Sequence, residues 1–299
     1  MGKKMKSKLK AVAPKAAKPS KPKVLIFGKP GVGKTWSALD FPNVYYMDTE
    51  GGADMGHYTT KLEQSGGVYF GIEQGSLDFT TVLNQVMALA TEKHPYKTLV
   101  IDSITKIFNN EITKEAERLD FEGKKNEFGV DKKPAVALMK RLVSWLQRID
   151  MNVVMIAHEK PLWFKGEQIG ETFDCWDKLE YELHLALQII KQGGSRIAKV
   201  RKSRLLGFDD ASSFAWSYKD FADKYGRDII EGEVSQLTLA TISQIKELNN
   251  LLEALKLPEG QLTKWLTQAN AETVEDMDTE KADTLIQFIK TKYFNFKGE

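Results

Sequence analysis

Cysteine and histidine are scarce in this sequence, and long hydrophobic runs are missing. Cys175 is the only cysteine among 299 residues, which excludes an internal disulfide framework and suits a reducing compartment. The four histidines do not have the spacing of zinc ligands. No apolar run reaches the length of a membrane span, and no apolar segment follows the lysine-rich N-terminus as it would in a secretory signal. We therefore expect a cytoplasmic protein without a membrane partner.

Charge is distributed unevenly along the chain. Residues 1–23 hold nine lysines and no acidic residue, and the rest of the chain carries 34 basic and 41 acidic groups. Residues 1–22 consist mainly of lysine, alanine and proline, a composition that predicts a disordered basic arm. Such an arm either contacts nucleic-acid phosphates without regard to sequence or keeps the protein in solution. The hydrophobic fraction of 42% is that of a globular protein with room for one large domain and a small one.

The most informative segment is a match to the pattern G-x-x-x-x-G-K-[ST] near the N-terminus. An apolar stretch from Val24 to Phe27 precedes it and predicts a strand, and a helical pattern follows it. In such a phosphate-binding loop, or P-loop, glycines let backbone N–H groups surround nucleotide phosphates, and the next helix points its positive end at them. The lysine reaches the β- and γ-phosphates, and the hydroxyl ligates Mg²⁺. The predicted nucleotide-binding residues are Gly28, Lys29, Pro30, Gly31, Val32, Gly33, Lys34 and Thr35.

Two carboxylates follow predicted strands that can lie beside this loop. An apolar run at residues 98–101 ends in Asp102, as in the Walker B motif, and predicts that Asp102 joins Thr35 in holding Mg²⁺. Many ATPases place the glutamate that activates water directly after this aspartate, but here Ser103 follows. The second predicted strand ends in D-T-E-G-G, and carboxyl ends of parallel strands face the ligand crevice. Glu50 in that segment is the candidate for the missing glutamate.

A histidine and a mixed basic and aromatic segment come next. The apolar run at residues 153–157 predicts a buried strand that ends in His158, which either senses the γ-phosphate or is an ordinary histidine at a strand end. Residues 160–166 are expected to form a loop that continues toward Trp176. Mixtures of this kind can follow a phosphate backbone and stack bases, or they can form a lid on the core. The candidate DNA-binding residues are Lys160, Trp163, Phe164 and Lys165.

A predicted β-hairpin carries a second basic segment. Residues 181–190 and 195–201 alternate in polarity around Gly193-Gly194, which is typical of two strands joined by a tight turn. The second strand ends in a basic run from Lys199 to Arg204. This run is either a solvated strand end or a clamp for an anion.

The character of the sequence changes near residue 236. Three stretches with helical spacing follow, separated by turn residues such as Pro258 and Gly260. This segment holds more acidic residues than lysines, so it is a poor primary DNA surface. We expect a small all-helical module that contacts a protein partner or caps the fold.

Taken together, these motifs resemble the RecA-like ATPase core over residues 23–210, and most of all the short Sak-type recombination and annealing ATPases that bacteriophages encode. The resemblance implies ATP and Mg²⁺ as cofactors, and a role for Glu50 in polarising the attacking water. It places His158 where the family has a polar γ-phosphate sensor, usually glutamine. It also implies that Lys202 and Arg204 reach the nucleotide of a neighbouring protomer in a ring or filament. The segment after His158 corresponds to a DNA-binding loop, although its sequence differs from that of RecA.

These observations predict an α/β fold: a RecA-like P-loop core with a mainly parallel sheet at residues 23–235, a basic arm at 1–22 and a helical module at 236–299. We expect an ATPase, stimulated by single-stranded DNA, that acts in phage-type recombination, annealing or repair inside the bacterial host cell. Alternatives are a ParA/MinD-type ATPase, for which Lys29 stands at the position of the extra lysine, and an ATP-dependent adaptor that binds only a protein partner. A GTPase is disfavoured because no N-K-x-D guanine motif is present.

Overall fold

The computed structural model describes residues 20–52, 56–126, 129–255 and 257–294, so that residues 1–19 of the predicted basic arm lie outside the described chain. The strands are β1 (Lys23–Gly28), β2 (Val44–Asp48), β3 (Val68–Phe70), β4 (Thr98–Asp102), β5 (Asn152–Phe164), β6 (Glu167–Phe173), β7 (Leu185–Gln192), β8 (Ser195–Ser203) and β9 (Ser213–Ala215). The helices are α1 (Lys34–Ala38), α2 (His57–Ser65), α3 (Phe79–Thr91), α4 (Ile104–Phe121), α5 (Lys132–Arg148), α6 (Leu179–Glu182), α7 (Tyr218–Tyr225), α8 (Arg227–Glu231), α9 (Ile242–Ala254), α10 (Gln261–Ala269) and α11 (Thr279–Tyr293). None of the described helices is both long enough and apolar enough to cross a membrane.

The described strands form one sheet in the order β3-β2-β4-β5-β1-β7-β8-β9, and β6 pairs with β5 outside this path. Pairing is parallel from β3 to β7 and antiparallel from β7 to β9. The P-loop strand β1 and the Walker B strand β4 are therefore separated by β5. Because parallel strands end on the same side of a sheet, the segments after β1, β2, β4 and β5 meet there, and we call this side the carboxyl end of the sheet.

Alternation along β1 assigns its side chains to the two faces of the sheet. Leu25 and Phe27 belong to the hydrophobic cluster under α3, α4 and α5, whereas Val24 and Ile26 belong to the cluster that includes residues of α1, α7 and α8. All six residues of β1 are buried, as expected for a central strand of a sheet covered on both faces. The aromatic residues of the segment after β8 close the second cluster, as predicted; they are Phe208, Phe214, Trp216, Tyr218 and Phe221.

The C-terminal residues form a helical module with its own hydrophobic cluster. Trp265, Leu285 and Ile289 are among the members of this cluster, which comprises residues of the segment 240–289. The module rests against α5, where Arg148 donates to Asp278 at 2.8 Å. The predicted fold class, an α/β core with a mainly parallel sheet and a helical C-terminal module, is confirmed. The domain boundary at residue 236 remains a prediction.

The segment at residues 160–166 corrects the sequence-based expectation of a loop. Strand β5 does not end at His158 but continues to Phe164, and its residues 159–164 pair antiparallel with β6 to form a hairpin. Lys165 and Gly166 connect the strands with φ values of 51° and 86°. Such positive φ angles at both central residues of a two-residue turn match the right-handed twist of a hairpin. The hairpin projects from the carboxyl end of the sheet.

Two further boundaries differ from the prediction. The predicted arm included Lys21, but this side chain is buried, and its ammonium donates to the carbonyl oxygens of Ile229 (3.0 Å) and Gly232 (2.8 Å). The first strand of the second hairpin begins at Leu185 rather than Tyr181, because residues 179–182 form the short helix α6. A buried lysine that caps helix carbonyls gives no sequence signal that distinguishes it from a lysine in a solvated tail.

Candidate nucleotide-binding site

A cleft of about 580 Å³ lies at the carboxyl end of the sheet. The P-loop after β1, the segment after β2, the end of β4 and the middle of β5 all contribute to it. Its lining includes Gly28, Gly33, Lys34, Thr35, Glu50, Tyr58, Asp102 and His158. The structure therefore brings together the predicted P-loop, the two predicted carboxylates and the predicted sensor.

The P-loop needs glycine at two positions for two different reasons. A Cβ on Gly28 would lie 2.2 Å from the carbonyl oxygen of Ile189, which belongs to the backbone of a buried strand, whereas Gly33 adopts a φ of +86° that residues with a Cβ rarely adopt. Gly33 caps α1 without a side-chain hydrogen bond, so the first-turn N–H groups are available to an anion. The loop therefore has the shape and polarity of a phosphate cradle.

Lys34 extends along this loop. Its ammonium donates to the carbonyl oxygens of Gly28 (2.8 Å) and Lys29 (3.0 Å). Burial lowers the pKa of Lys34, and the nearby carboxylates of Asp102 and Glu50 oppose that shift. The ammonium thus lies beside the cradle, and phosphate oxygens can replace the two carbonyl oxygens that it contacts.

Asp102 and Thr35 form the candidate metal site. Asp102 is 5% exposed and accepts a hydrogen bond from Oγ1 of Thr35 at 2.5 Å. The hydroxyl of Tyr46 lies 3.4 Å from the same carboxylate oxygen. Burial raises the pKa of Asp102 to about 6, against the hydrogen bond from Thr35. A hydroxyl and a carboxylate at the edge of a phosphate cradle are hard oxygen ligands of the kind that Mg²⁺ prefers, so the residues fit this ion.

Glu50 and His158 meet on the cleft side of these groups. Glu50 lies two residues beyond β2, and its carboxylate contacts Nε2 of His158. Burial acts to raise the pKa of Glu50, but hydrogen bonds from Ser103 and His158 outweigh it and hold the pKa below its ordinary value. Glu50 is therefore kept as a carboxylate that can accept a proton or orient a water.

The other basic candidates, Lys202 and Arg204, lie far from this cleft. Lys202 pairs in register with Ala186, near the start of β7, so it lies at the opposite, amino end of the sheet. Its ammonium donates to the carbonyl oxygen of Leu183, and the Arg204 guanidinium donates to that of Tyr181. Burial lowers the pKa of Lys202 to about 8. The structure does not bring these residues to the nucleotide site of their own chain.

The candidate DNA-binding residues lie on the β5–β6 hairpin. Trp163 and Phe164 are 61% and 59% exposed, and the Lys165 ammonium lies 5.4 Å from the centre of the Phe164 ring. Lys160 is paired with Asp174 at 3.4 Å. The tip of the hairpin therefore presents two aromatic rings and one cation to solvent, beside the cleft.

Sequence reasoning missed several residues that border the P-loop. Arg196 of β8 donates from Nε to the carbonyl oxygen of Val32 at 3.0 Å and packs on Gly33. Trp36 and Tyr58 place their rings 6.3 Å apart next to the cleft, and Lys61 lies 3.9 Å above the Trp36 ring. The position of Trp36, directly after the P-loop threonine, could have identified it. The contact of Arg196 depends on the register of β7 with β8 and has no local sequence signal.

A match to a known protein family covers more than half of the chain. A family model described as an AAA domain matches residues 20–205. No curated protein matches the sequence. Among solved structures, the crystal structure of the RadB recombinase matches with a TM-score of 0.43 and 19% identity, over 66% of this chain and 86% of that one. The matched family region contains the P-loop and every predicted site residue.

Proposed function

The chain belongs to the AAA domain family, and we propose that it binds ATP with Mg²⁺ and hydrolyses it while acting on single-stranded DNA in phage-type recombination, annealing or repair. The observation that carries the proposal is the meeting of Lys34, Thr35, Asp102 and Glu50 in one cleft at the carboxyl end of the sheet. These groups come from three separate segments of the chain. Each of these groups can perform one part of the transfer of a phosphoryl group to water.

Binding of the triphosphate is the first part. The N–H groups of the P-loop and of the first turn of α1 would surround the phosphates, and Lys34 would exchange its loop carbonyls for phosphate oxygens. Thr35 and Asp102 would hold Mg²⁺, which neutralises charge on the β- and γ-phosphates when it is bound. The missing guanine motif favours adenine. The ring of Tyr58, which lines the cleft, offers a stacking surface for the base.

Hydrolysis is the second part. Glu50 is the carboxylate next to the cleft that is held in the ionised state and can orient the attacking water. Asp102 is assigned to the metal instead, because it is buried against Thr35. His158 borders the same space, where its imidazole contacts the carboxylate of Glu50.

The proposed contact with single-stranded DNA is based on the residues at the tip of the β5–β6 hairpin. Exposed Trp163 and Phe164 can stack on bases, and Lys165 can contact a phosphate. The basic arm can add salt-dependent contacts to the same strand. The hairpin is a continuation of β5, which also carries His158, so the client site and the nucleotide site share one strand.

Self-association and a protein partner complete the proposal. Lys202 and Arg204 face away from their own cleft, an arrangement that suits action on the nucleotide of a neighbouring protomer in a ring or filament. In the helical module, a depression of about 290 Å³ is lined by Trp265, Leu285 and Phe288. Phe288 is 43% exposed there, which supports a partner contact through residues 236–299.

The test is the substitution Glu50→Gln, which keeps the size of the side chain and removes its charge. We expect hydrolysis of ATP to fall by about 100-fold or more, because the water loses its orienting base, while the affinity for ATP stays within about threefold. Glu63→Gln, the same change on the exposed face of α2, is the control and should leave both quantities unaltered. Unchanged turnover in Glu50→Gln would remove Glu50 from the mechanism.

A further inference from the structure

The geometry of the cleft points to a specific task for His158: we propose that His158 is a positioning residue that holds the Glu50 carboxylate in place for the attacking water. The inference rests on the proposed function, because it concerns the residue that would orient the water. A γ-phosphate sensor would contact the nucleotide. In this proposal the imidazole instead contacts a side chain of the protein.

The two side chains reach each other across an intervening strand. Glu50 follows β2 and His158 lies in β5, and β4 separates these strands in the sheet. Nε2 of His158 donates to Oε1 of Glu50 above the end of β4, where Asp102 lies. The pair therefore closes over the candidate metal ligand. A polar bridge in this place fixes Glu50 relative to both Asp102 and the P-loop.

His158 is held firmly by its main chain. Its N–H donates to Oγ1 of Thr105 at 2.9 Å, and its carbonyl oxygen accepts from the N–H of Asp174 at 2.8 Å. Thr105 is buried at the start of α4 and donates in turn to the carbonyl oxygen of Asp174 at 2.6 Å. His158 also pairs in register with Gly28 of the P-loop. The imidazole thus projects from a fixed point of the core.

Glu50, by contrast, is poorly fixed by its own segment. It lies beyond the end of β2, and its N–H donates to Oδ1 of Asp48 at 3.0 Å. Its side chain is 40% exposed, and the carboxylate is held by Ser103 and His158, which belong to other segments. A long side chain at such a position needs external partners to stay aimed at a reacting atom. A displacement of about 1 Å can cost on the order of 100-fold in rate.

The two roles of His158 predict different kinetics. A sensor of the γ-phosphate would change the relative affinities for ATP and ADP, and its loss would add to the loss of Glu50. A positioning residue acts through Glu50, so its loss should lower kcat with little change in nucleotide affinity. Its effect should also disappear once Glu50 can no longer act.

A double-mutant cycle with His158→Leu and Glu50→Gln tests this difference in the full-length protein. We expect His158→Leu alone to lower kcat by about 10- to 100-fold with KM for ATP within about threefold, and His158→Gln, which keeps a donor, to recover part of that loss. In the Glu50→Gln background, His158→Leu should change kcat by less than about twofold. The control is His94→Gln at the far end of the sheet, where His94 contacts the carbonyl oxygen of Leu89. Fully additive losses would overturn the proposal.

A second measurement does not depend on hydrolysis. In nucleotide-free protein labelled with ¹⁵N-histidine, Glu50→Gln should shift the imidazole resonances of His158 and leave those of His94 in place. Unshifted His158 resonances would overturn the proposal even if the protein hydrolyses ATP. Shifted resonances in a protein without ATPase activity would support the contact and refute the proposed function instead.

Discussion

Lysines at the two ends of the parallel sheet make the same contact in different surroundings. At the amino end, the Lys23 ammonium is enclosed and donates to the carbonyl oxygens of Ile149 (2.7 Å) and Met151 (2.5 Å). At the carboxyl end, the Lys34 ammonium donates to two loop carbonyls but borders an open cleft. The first lysine caps the end of α5 and has no room for a ligand. The second occupies contacts that an anion can take over.

Burial of a charged group therefore does not by itself mark a functional site. Lys21 and Lys23 are both buried, and each satisfies carbonyls where a helix ends, α8 for Lys21 and α5 for Lys23. Such lysine contacts compensate carbonyls that have no partner within the helix. What distinguishes Lys34 is the space beside it and the carboxylates across the cleft.

Reciprocal substitutions give the largest expected effect. Lys34→Met should weaken ATP binding by about 100-fold or more, because the ammonium is a main phosphate contact. It should leave the free energy of unfolding within about 1 kcal/mol of the wild-type value.

Lys23→Met should have the opposite effect. It leaves carbonyls at the end of α5 unpaired and lowers the free energy of unfolding by about 1–3 kcal/mol, without weakening ATP binding by the folded protein. Binding titrations and urea unfolding check both. Loss of ATP binding by folded Lys23→Met protein would contradict the assignment of Lys23 to a structural role only.

A second experiment tests whether Lys202, at the amino end of the sheet, contributes to the nucleotide site of a neighbouring protomer. If Lys202 acts on a neighbour's nucleotide, then the amino end of one protomer takes part in the cleft of the next. Mixing Lys202→Ala with wild-type protein should then lower the ATPase rate further than dilution does, because each variant subunit disables an adjacent site. Lys219→Ala on α7 is the control, since Lys219 forms an exposed pair with Asp223. A loss in simple proportion to the variant would indicate that each site is complete within one chain.

Lys23 should also make the stability of the protein depend on pH. Burial lowers the pKa of Lys23 to about 7, against opposing attraction from Asp150. The native state therefore binds fewer protons than the unfolded state between pH 7 and the ordinary lysine pKa of about 10.4, and stability rises with pH across that window. The slope from this one group is at most about 1.4 kcal/mol per pH unit. Lys23→Met should remove it in unfolding curves recorded at several pH values, and an unchanged slope would assign it to other groups.

The parts of the site that were predictable from the sequence depend on local patterns. The P-loop and Asp102 are readable because glycine spacing and an apolar run ending in aspartate describe single segments. Glu50 was selected because Ser103 follows Asp102 and because parallel strands end on one side of the sheet. The sheet order agrees with that reasoning, since β2 and β4 run parallel to β1 and end on the same side of the sheet.

The parts that were missed depend on contacts between distant segments. Residues 160–166 were expected to form a loop, because Pro161 and the Lys165-Gly166 turn obscure the strand pattern that pairing with β6 creates. The contact between His158 and Glu50 joins residues from non-neighbouring strands. Arg196 contacts the carbonyl oxygen of Val32 in the P-loop, from which it is separated by 164 residues in the chain. This contact depends on the register of the hairpin that β7 and β8 form.

The most direct measurement is the rate of ATP hydrolysis by the purified protein with Mg²⁺, with and without single-stranded DNA, at moderate salt. The proposed function predicts measurable hydrolysis that the DNA increases, and Glu50→Gln should lower it by about 100-fold or more under both conditions. Hydrolysis that is indifferent to DNA would contradict the proposed client and direct attention to a protein partner of the helical module. Absence of hydrolysis under both conditions, in protein that binds ATP, would contradict the account of the cleft as a catalytic site.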